Sequence, residues 1–123
     1  MTENPSLYAR LGGYDAISAV VEDLLPRLAS DEQLGRFWAN RGDDGIAREK
    51  QLLVDYLCAS AGGPLLYTGR TNKVSHTGMG ISLTDWNIFM SHLDDTLNHF
   101  SVPEAEKLAV LEFITSTKDD IVE

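Results

Sequence analysis

From Tyr14 to Leu28 the apolar residues Ile17, Val20, Val21, Leu24, Leu25 and Leu28 fall at i, i+3, i+4, i+7, i+8 and i+11, one face of an α-helix. Pro26 lies inside this run and removes a backbone donor, so a kink or an irregular last turn is expected there. A short turn around Leu7, Tyr8 and Leu11 precedes the helix, separated from it by Gly12-Gly13. Ser30, with Gln33 three residues on, has the capping-box pattern and predicts a short helix delivering Leu34, Phe37 and Trp38. Asp43 or Asp44 is expected to cap a third helix running to Ala61. Gly62-Gly63 admits a left-handed terminus and Pro64 cannot continue a helix, so the stop signal is strong.

Residues 64–73 read as a loop carrying Tyr67, followed by a short helical stretch ending near His76. A long helix starting at Ser82 or Thr84 is expected to bury a stripe of Trp86, Phe89, Met90, Leu93, Leu97 and Phe100. Ser101 with Glu104 repeats the capping-box pattern, with Pro103 in the first turn, where its missing N–H is harmless. A last helix bearing Leu108, Leu111, Ile114 and Ile121 is expected to run to residue 123. No stretch alternates as a strand does, so the fold class is all-α. No repeat, low-complexity tract or linker interrupts residues 1–123, which read as a single domain.

Composition narrows the function classes. A chain of 123 residues with 43% hydrophobic content can bury roughly two thirds of its unfolded surface and is far from the disordered regime. Ten Lys plus Arg against 19 Asp plus Glu leave a net charge of −9, which argues against nucleic-acid binding and attachment to anionic membranes. The single cysteine, Cys58, excludes an intrachain disulfide framework and a multi-thiolate zinc site, and reads as a small packed apolar residue. The start MTENPSLYARLGG has no signal pattern, and no segment approaches the roughly 20 apolar residues of a membrane span. A cytoplasmic location is therefore expected.

The candidates for metal or acid–base chemistry are His76, His92 and His99. His92 and His99 lie on the long amphipathic helix with no second ligand type at matching spacing, which reads as structural. There is no nucleophile elbow and no Walker loop, and Gly78-Met79-Gly80 lacks both the strand and the third glycine of a dinucleotide motif. The carboxylate pairs Asp43-Asp44, Asp94-Asp95 and Asp119-Asp120 are explained by capping and solvation.

His76 differs in its surroundings, the string GGPLLYTGRTNKVSHTGMGISLTDW at 62–86. The succession of Gly62-Gly63-Pro64, Tyr67-Thr68-Gly69-Arg70, Lys73 to His76, the Gly78-x-Gly80-Ile81 turn and the aromatic Trp86 resembles the truncated haemoglobins, most closely their first group. Leu7-Tyr8 to Gly12-Gly13 and the Phe37-Trp38 pair also fall where that family has them, so the likeness covers essentially the whole chain. The resemblance implies a two-over-two helical sandwich around haem b (iron protoporphyrin IX) with His76 as proximal iron ligand. The cofactor-contacting side chains it implies are Phe37, Trp38, Lys50, Leu53, Leu57, Tyr67, Arg70, Lys73, Met79, Ile81, Trp86 and Phe89. Lys73 matches a family lysine that reaches a propionate, although a solvated surface lysine reads nearly as well, and Asn72 departs from the family's usual apolar residue. Lys50, Arg70 and Lys73 are the cations at hand for two propionates.

Two registers compete for the third helix. Matching Lys50-Gln51 to the family's distal pair needs two extra residues before Gly62 and turns Asp55 inward. Counting back ungapped from Gly62-Gly63 puts Ile46, Leu53, Val54 and Leu57 inside, with Arg48, Gln51 and Asp55 outside. Burying an unpaired carboxylate costs several kcal/mol, which favours the second register. Glu49 and Lys50 then flank the distal entrance, where a lysine has the chemistry of a sixth iron ligand. The position of the family's distal tyrosine falls on Leu25, so the distal residues are Leu25, Glu49, Lys50 and Leu53. The resemblance implies reversible binding of O2, CO or NO, with oxygen binding or NO-related chemistry as the role. A haem-dependent redox enzyme, an NO dioxygenase or peroxidase served by a reductase, shares the cofactor. A haem-free helical interaction module is the alternative from another class.

Overall fold

The computed structural model describes residues 6–38, 42–63, 71, 73 and 76–123, and of Asp43 the backbone alone. The chain opens with α1 (Leu7–Leu11), capped by Ser6, whose Oγ accepts from the Ala9 N–H at 3.2 Å. Helix α2 (Gly13–Ala29) buries Ile17, Val21, Leu24 and Leu28, the face that the spacing predicts. Pro26 does not break it. Its ring is on the exposed side and its carbonyl still accepts from the Ser30 N–H at 3.0 Å, so the helix runs on to Ala29.

The next element is a 3-10 helix, Leu34–Phe37, and Ser30 does not cap it. Asp31 takes that part, its Oδ1 accepting from the N–H of Gln33 at 2.9 Å and of Leu34 at 3.1 Å. A carboxylate one residue further along makes the tighter Asx turn that a 3-10 start requires. Helix α3 (Asp43–Ser60) is capped by Gly42, so Asp43 and Asp44 lie inside its first turn rather than before it. There the charge of Asp44 favours the positive end of the helix dipole. At its far end only Gly62 is left-handed, at φ 92°. Gly63 serves a different purpose, since a Cβ on it would lie 2.5 Å from the Tyr8 ring and 2.9 Å from the Cys58 carbonyl. That close approach joins α1 to the end of α3, where the Tyr8 N–H also donates to the Ala61 carbonyl at 2.9 Å.

Helix α4 (Leu83–His99) starts from a complete capping box, Ser82 Oγ accepting from the Asp85 N–H and the Asp85 carboxylate from the Ser82 N–H. It buries Trp86, Leu93 and Leu97, but Phe100 is exposed and leaves the expected stripe. The chain then turns through Ser101 at φ 55°, and Pro103, not Ser101, is the N-cap of α5 (Glu104–Thr115). Leu108 of α5 is exposed. The expected single last helix is two, α5 and a turn, α6 (Lys118–Ile121). The hydroxyls of Thr115, Ser116 and Thr117 donate back to the carbonyls of Leu111, Phe113 and Ile114, competing with the helical backbone bonds at that point.

Helix α2 is the shared layer. One stripe of it packs on α3 through Ile17, Val21, Val54 and Cys58, the cysteine fully buried as a small apolar group. The other, Leu24 and Leu28, meets Leu34, Leu93 and Leu97. The pair α2–α3 thus lies across the pair α4–α5, an all-α two-over-two arrangement. Among the described residues no helix is long and apolar enough to cross a membrane.

Candidate functional site

The helix pairs do not close on each other completely. Between them lies a cavity of about 590 Å³, within the range of small-molecule and cofactor sites. Leu25 of α2, Phe37 and Trp38 of the 3-10 segment, and Leu53 and Leu57 of α3 line one part of it. His76, Met79, Ile81, Trp86 and Phe89 line another, so residues far apart in sequence converge on one space. The aromatic rings are set edge to face or tilted, Phe37 to Trp38 at 6.4 Å and Trp86 to Phe89 at 5.9 Å between centroids. Such contacts stiffen the walls of an apolar pocket.

The structure decides the register of α3. Ile46, Leu53 and Leu57 line the cavity, and Val54, 2% exposed, is buried against α2. Arg48 and Gln51 point outward, Gln51 Nε2 donating to the Tyr14 hydroxyl at 2.8 Å and to Asp55 Oδ1 at 3.0 Å. Asp55 is thus satisfied away from the cavity. Glu49 lies on the cavity wall. Lys50 does not. One residue round the helix from Glu49, its Nζ meets Glu22 Oε1 of α2 at 3.2 Å, over a smaller hollow lined by Leu25, Trp38 and Ile46. The expectation for Lys50 was a cofactor contact or a place in the distal space; its side chain lines the smaller hollow and not the main cavity. The Lys73 side chain is exposed and lines neither hollow, and its backbone carbonyl accepts from the Thr77 N–H at 3.0 Å. Tyr67, Arg70 and Asn72 lie outside the described residues.

Of the wall residues that were not anticipated, two stand out. Tyr56 continues the 49, 53, 56, 57 series of α3, and its ring lies 5.9 Å from that of Phe113; the same periodicity that selected Leu53 points to it. Asp85 is the other. It is 1% exposed, yet it closes the α4 capping box, accepts from Gln33 Nε2 at 2.5 Å and pairs with Arg36 Nη2 at 2.7 Å. Arg36 in turn covers the Phe37 ring, 4.3 Å from its centroid. Asp85 therefore clips the 3-10 segment, with Phe37 and Trp38, onto the start of α4. His92 strengthens the same joint, its Nε2 lying 2.8 Å from Asp31 Oδ2, while His99 is exposed beside Phe100.

The Arg36 guanidinium holds the Asp85 carboxyl well below the usual carboxylate range; burial opposes this, and the Ser82 N–H and Gln33 amide assist. A carboxyl depressed in the folded state stabilises it above the unfolded pKa of about 4 and loses that contribution as pH falls. Asp85→Ala is expected to destabilise the protein by about 2 kcal/mol at neutral pH. In urea denaturation the gap to wild type should narrow below pH ~4; a gap independent of pH would contradict an ionised, paired Asp85.

A family model described as bacterial-like globin matches residues 6–123. A group 1 truncated haemoglobin from Mycolicibacterium paratuberculosis is 34% identical over 119 residues, covering 97% of this chain and 85% of that protein. One from Nostoc is 30% identical, covering 95% and 97%. Among solved structures, truncated haemoglobin from Tetrahymena pyriformis in its Fe(III) form superimposes with a TM-score of 0.87 at 24% identity, covering 96% of this chain and 98% of that one. The THB1 protein of Chlamydomonas reinhardtii gives 0.81 at 26% identity, covering 99% and 100%. With a matching family model over nearly its whole length and a relative at this identity, the chain belongs to the bacterial-like globins and, among them, to the truncated haemoglobins of group 1.

Proposed function

We propose that this chain holds haem b in the cavity between its helix pairs through the imidazole of His76, and binds a diatomic gas, O2, CO or NO, on the side faced by Leu25, Leu53 and Leu57. The observation that carries this reading is the placement of His76 on the wall of a largely apolar, aromatic-lined cavity of about 590 Å³. A flat macrocycle with one polar edge fits those walls. Trp38, Phe37, Trp86 and Phe89 supply rings for its faces and edges, and the neutral imidazole nitrogen suits iron.

When bound, haem supplies the iron to which a gas molecule coordinates. The chain's own residues do the rest. His76 offers one ring nitrogen as ligand. Met79 and Ile81 pack the same wall and keep water from the proximal side, which guards ferrous iron against oxidation. On the opposite side Leu25, Leu53 and Leu57 exclude water but donate no hydrogen bond. That chemistry favours quick, reversible exchange of gas over tight retention, and so oxygen binding over slow storage. On the same wall of α3 Glu49 adds a carboxylate, while Lys50 pairs with Glu22 of α2.

Haem titrated into the apo-protein should quench the fluorescence of Trp38 and Trp86 and saturate at about one haem per chain. Absence of quenching, with haem left free in solution, would refute the reading.

A further inference from the structure

We propose that Glu123 is a positioning residue for His76, fixing the turn by which the chain leaves the ligand-bearing segment; the inference rests on the reading of His76 as iron ligand. After His76 the backbone passes through Gly78 at φ 85° and Gly80 at φ 69°, both left-handed. Glycines two and four residues beyond His76 give this stretch conformational freedom that other residue types lack. Its local backbone ties among the described residues are the Met79 N–H donating to the His76 carbonyl at 3.2 Å and the Thr77 N–H donating to the Lys73 carbonyl at 3.0 Å.

Glu123, two residues beyond α6, supplies two longer-range ties. Its Oε1 accepts from the Gly80 N–H at 2.9 Å. Its own N–H donates to the Ile81 carbonyl at 2.9 Å. The amides of Gly80, then Gly78 and Met79, hold its carboxyl below the usual range, as expected where left-handed residues turn successive N–H groups toward one anion. The turn is gripped on both its donor and acceptor sides, between His76 and the Ser82 cap of α4. Met79 and Ile81, which line the cavity with His76, belong to the gripped segment. Nothing else about Glu123 calls for these bonds: it is exposed and packs in neither core cluster.

A carboxylate on a three-atom reach sets where the turn sits, and the turn sets the tilt and depth of the imidazole. Glu123→Ala should leave far-UV circular dichroism and Tm close to wild type while releasing haem to excess apomyoglobin ~fivefold faster, the effect of one lost hydrogen bond. The iron–imidazole stretching band of the ferrous protein should broaden or shift. Glu123→Gln, whose amide oxygen still accepts, should recover most of the wild-type behaviour. In the apo-protein the Gly80 amide of Glu123→Ala should exchange with solvent faster than in wild type. Unchanged haem release, band and Gly80 exchange in Glu123→Ala would overturn the proposal. Faster Gly80 exchange with unchanged haem release and band would overturn it too, reducing Glu123 to a local staple. A wild type that holds no haem would instead bring down the functional reading, and this inference with it.

Discussion

His76→Ala is expected to purify with at least tenfold less haem than wild type, while its helical circular dichroism stays near that of the apo-protein. Both halves of that outcome follow from where the side chain sits. His76 lines the cavity and belongs to neither of the two core clusters, which are built from α2, α3, α4 and Leu34. Removing it deletes the proposed nitrogen ligand without opening the core. Apolar burial alone would still draw haem into the cavity weakly, so some loosely held cofactor should remain and wash out on gel filtration. Free imidazole at millimolar concentration should restore part of the Soret absorbance by occupying the vacated space. Stoichiometric haem in His76→Ala would mean that another side chain binds the iron.

The second large effect concerns the opposite wall. Leu25 stands where the family often carries a hydrogen-bonding tyrosine, and its side chain lines the cavity between the two core clusters. Leu25→Tyr introduces a hydroxyl donor among the leucine side chains of that wall. A hydrogen bond from it to O2 is worth about 1 to 3 kcal/mol, a slowing of O2 release by about 5- to 150-fold. CO, a poorer hydrogen-bond acceptor, should leave at a nearly unchanged rate, and the contrast between the gases separates hydrogen bonding from obstruction. Stopped-flow displacement of O2 by CO measures it. An unchanged O2 rate, or equal slowing of both gases, would show that the wild-type distal side already holds a donor or that the tyrosine merely blocks the path.

What the sequence made legible was whatever depends on periodicity. The buried face of α2, the register of α3 and the cavity-facing pair Leu53 and Leu57 all follow from one residue type recurring every three or four positions. Tyr56 belonged to the same series and was readable by the same rule. Capping was less legible, because a Ser-x-x-Gln or Ser-x-x-Glu pattern works only if the backbone leaves the helical region at the serine. At Ser30 a better acceptor, Asp31, stood next to it, and at Ser101 the chain adopts a left-handed turn that moves the cap to Pro103.

Side-chain partners distant in sequence were not legible at all. Lys50 finds Glu22 on another helix, and Asp85 finds Gln33 and Arg36 about fifty residues earlier. Those pairings exist only once α2 packs on α3 and the 3-10 segment packs on α4. One pairing joins α3 to α2 through Lys50 and Glu22, and the other fixes Phe37 and Trp38 to the cavity wall.

The most direct test of the account is the ultraviolet–visible spectrum of the protein after haem reconstitution, recorded ferric, ferrous and ferrous under CO. The account predicts an intense Soret band at about one haem per chain, moving on reduction and again on addition of CO, and lost in His76→Ala. A wild-type protein that stays colourless after reconstitution, or a Soret band that does not respond to CO, would contradict it.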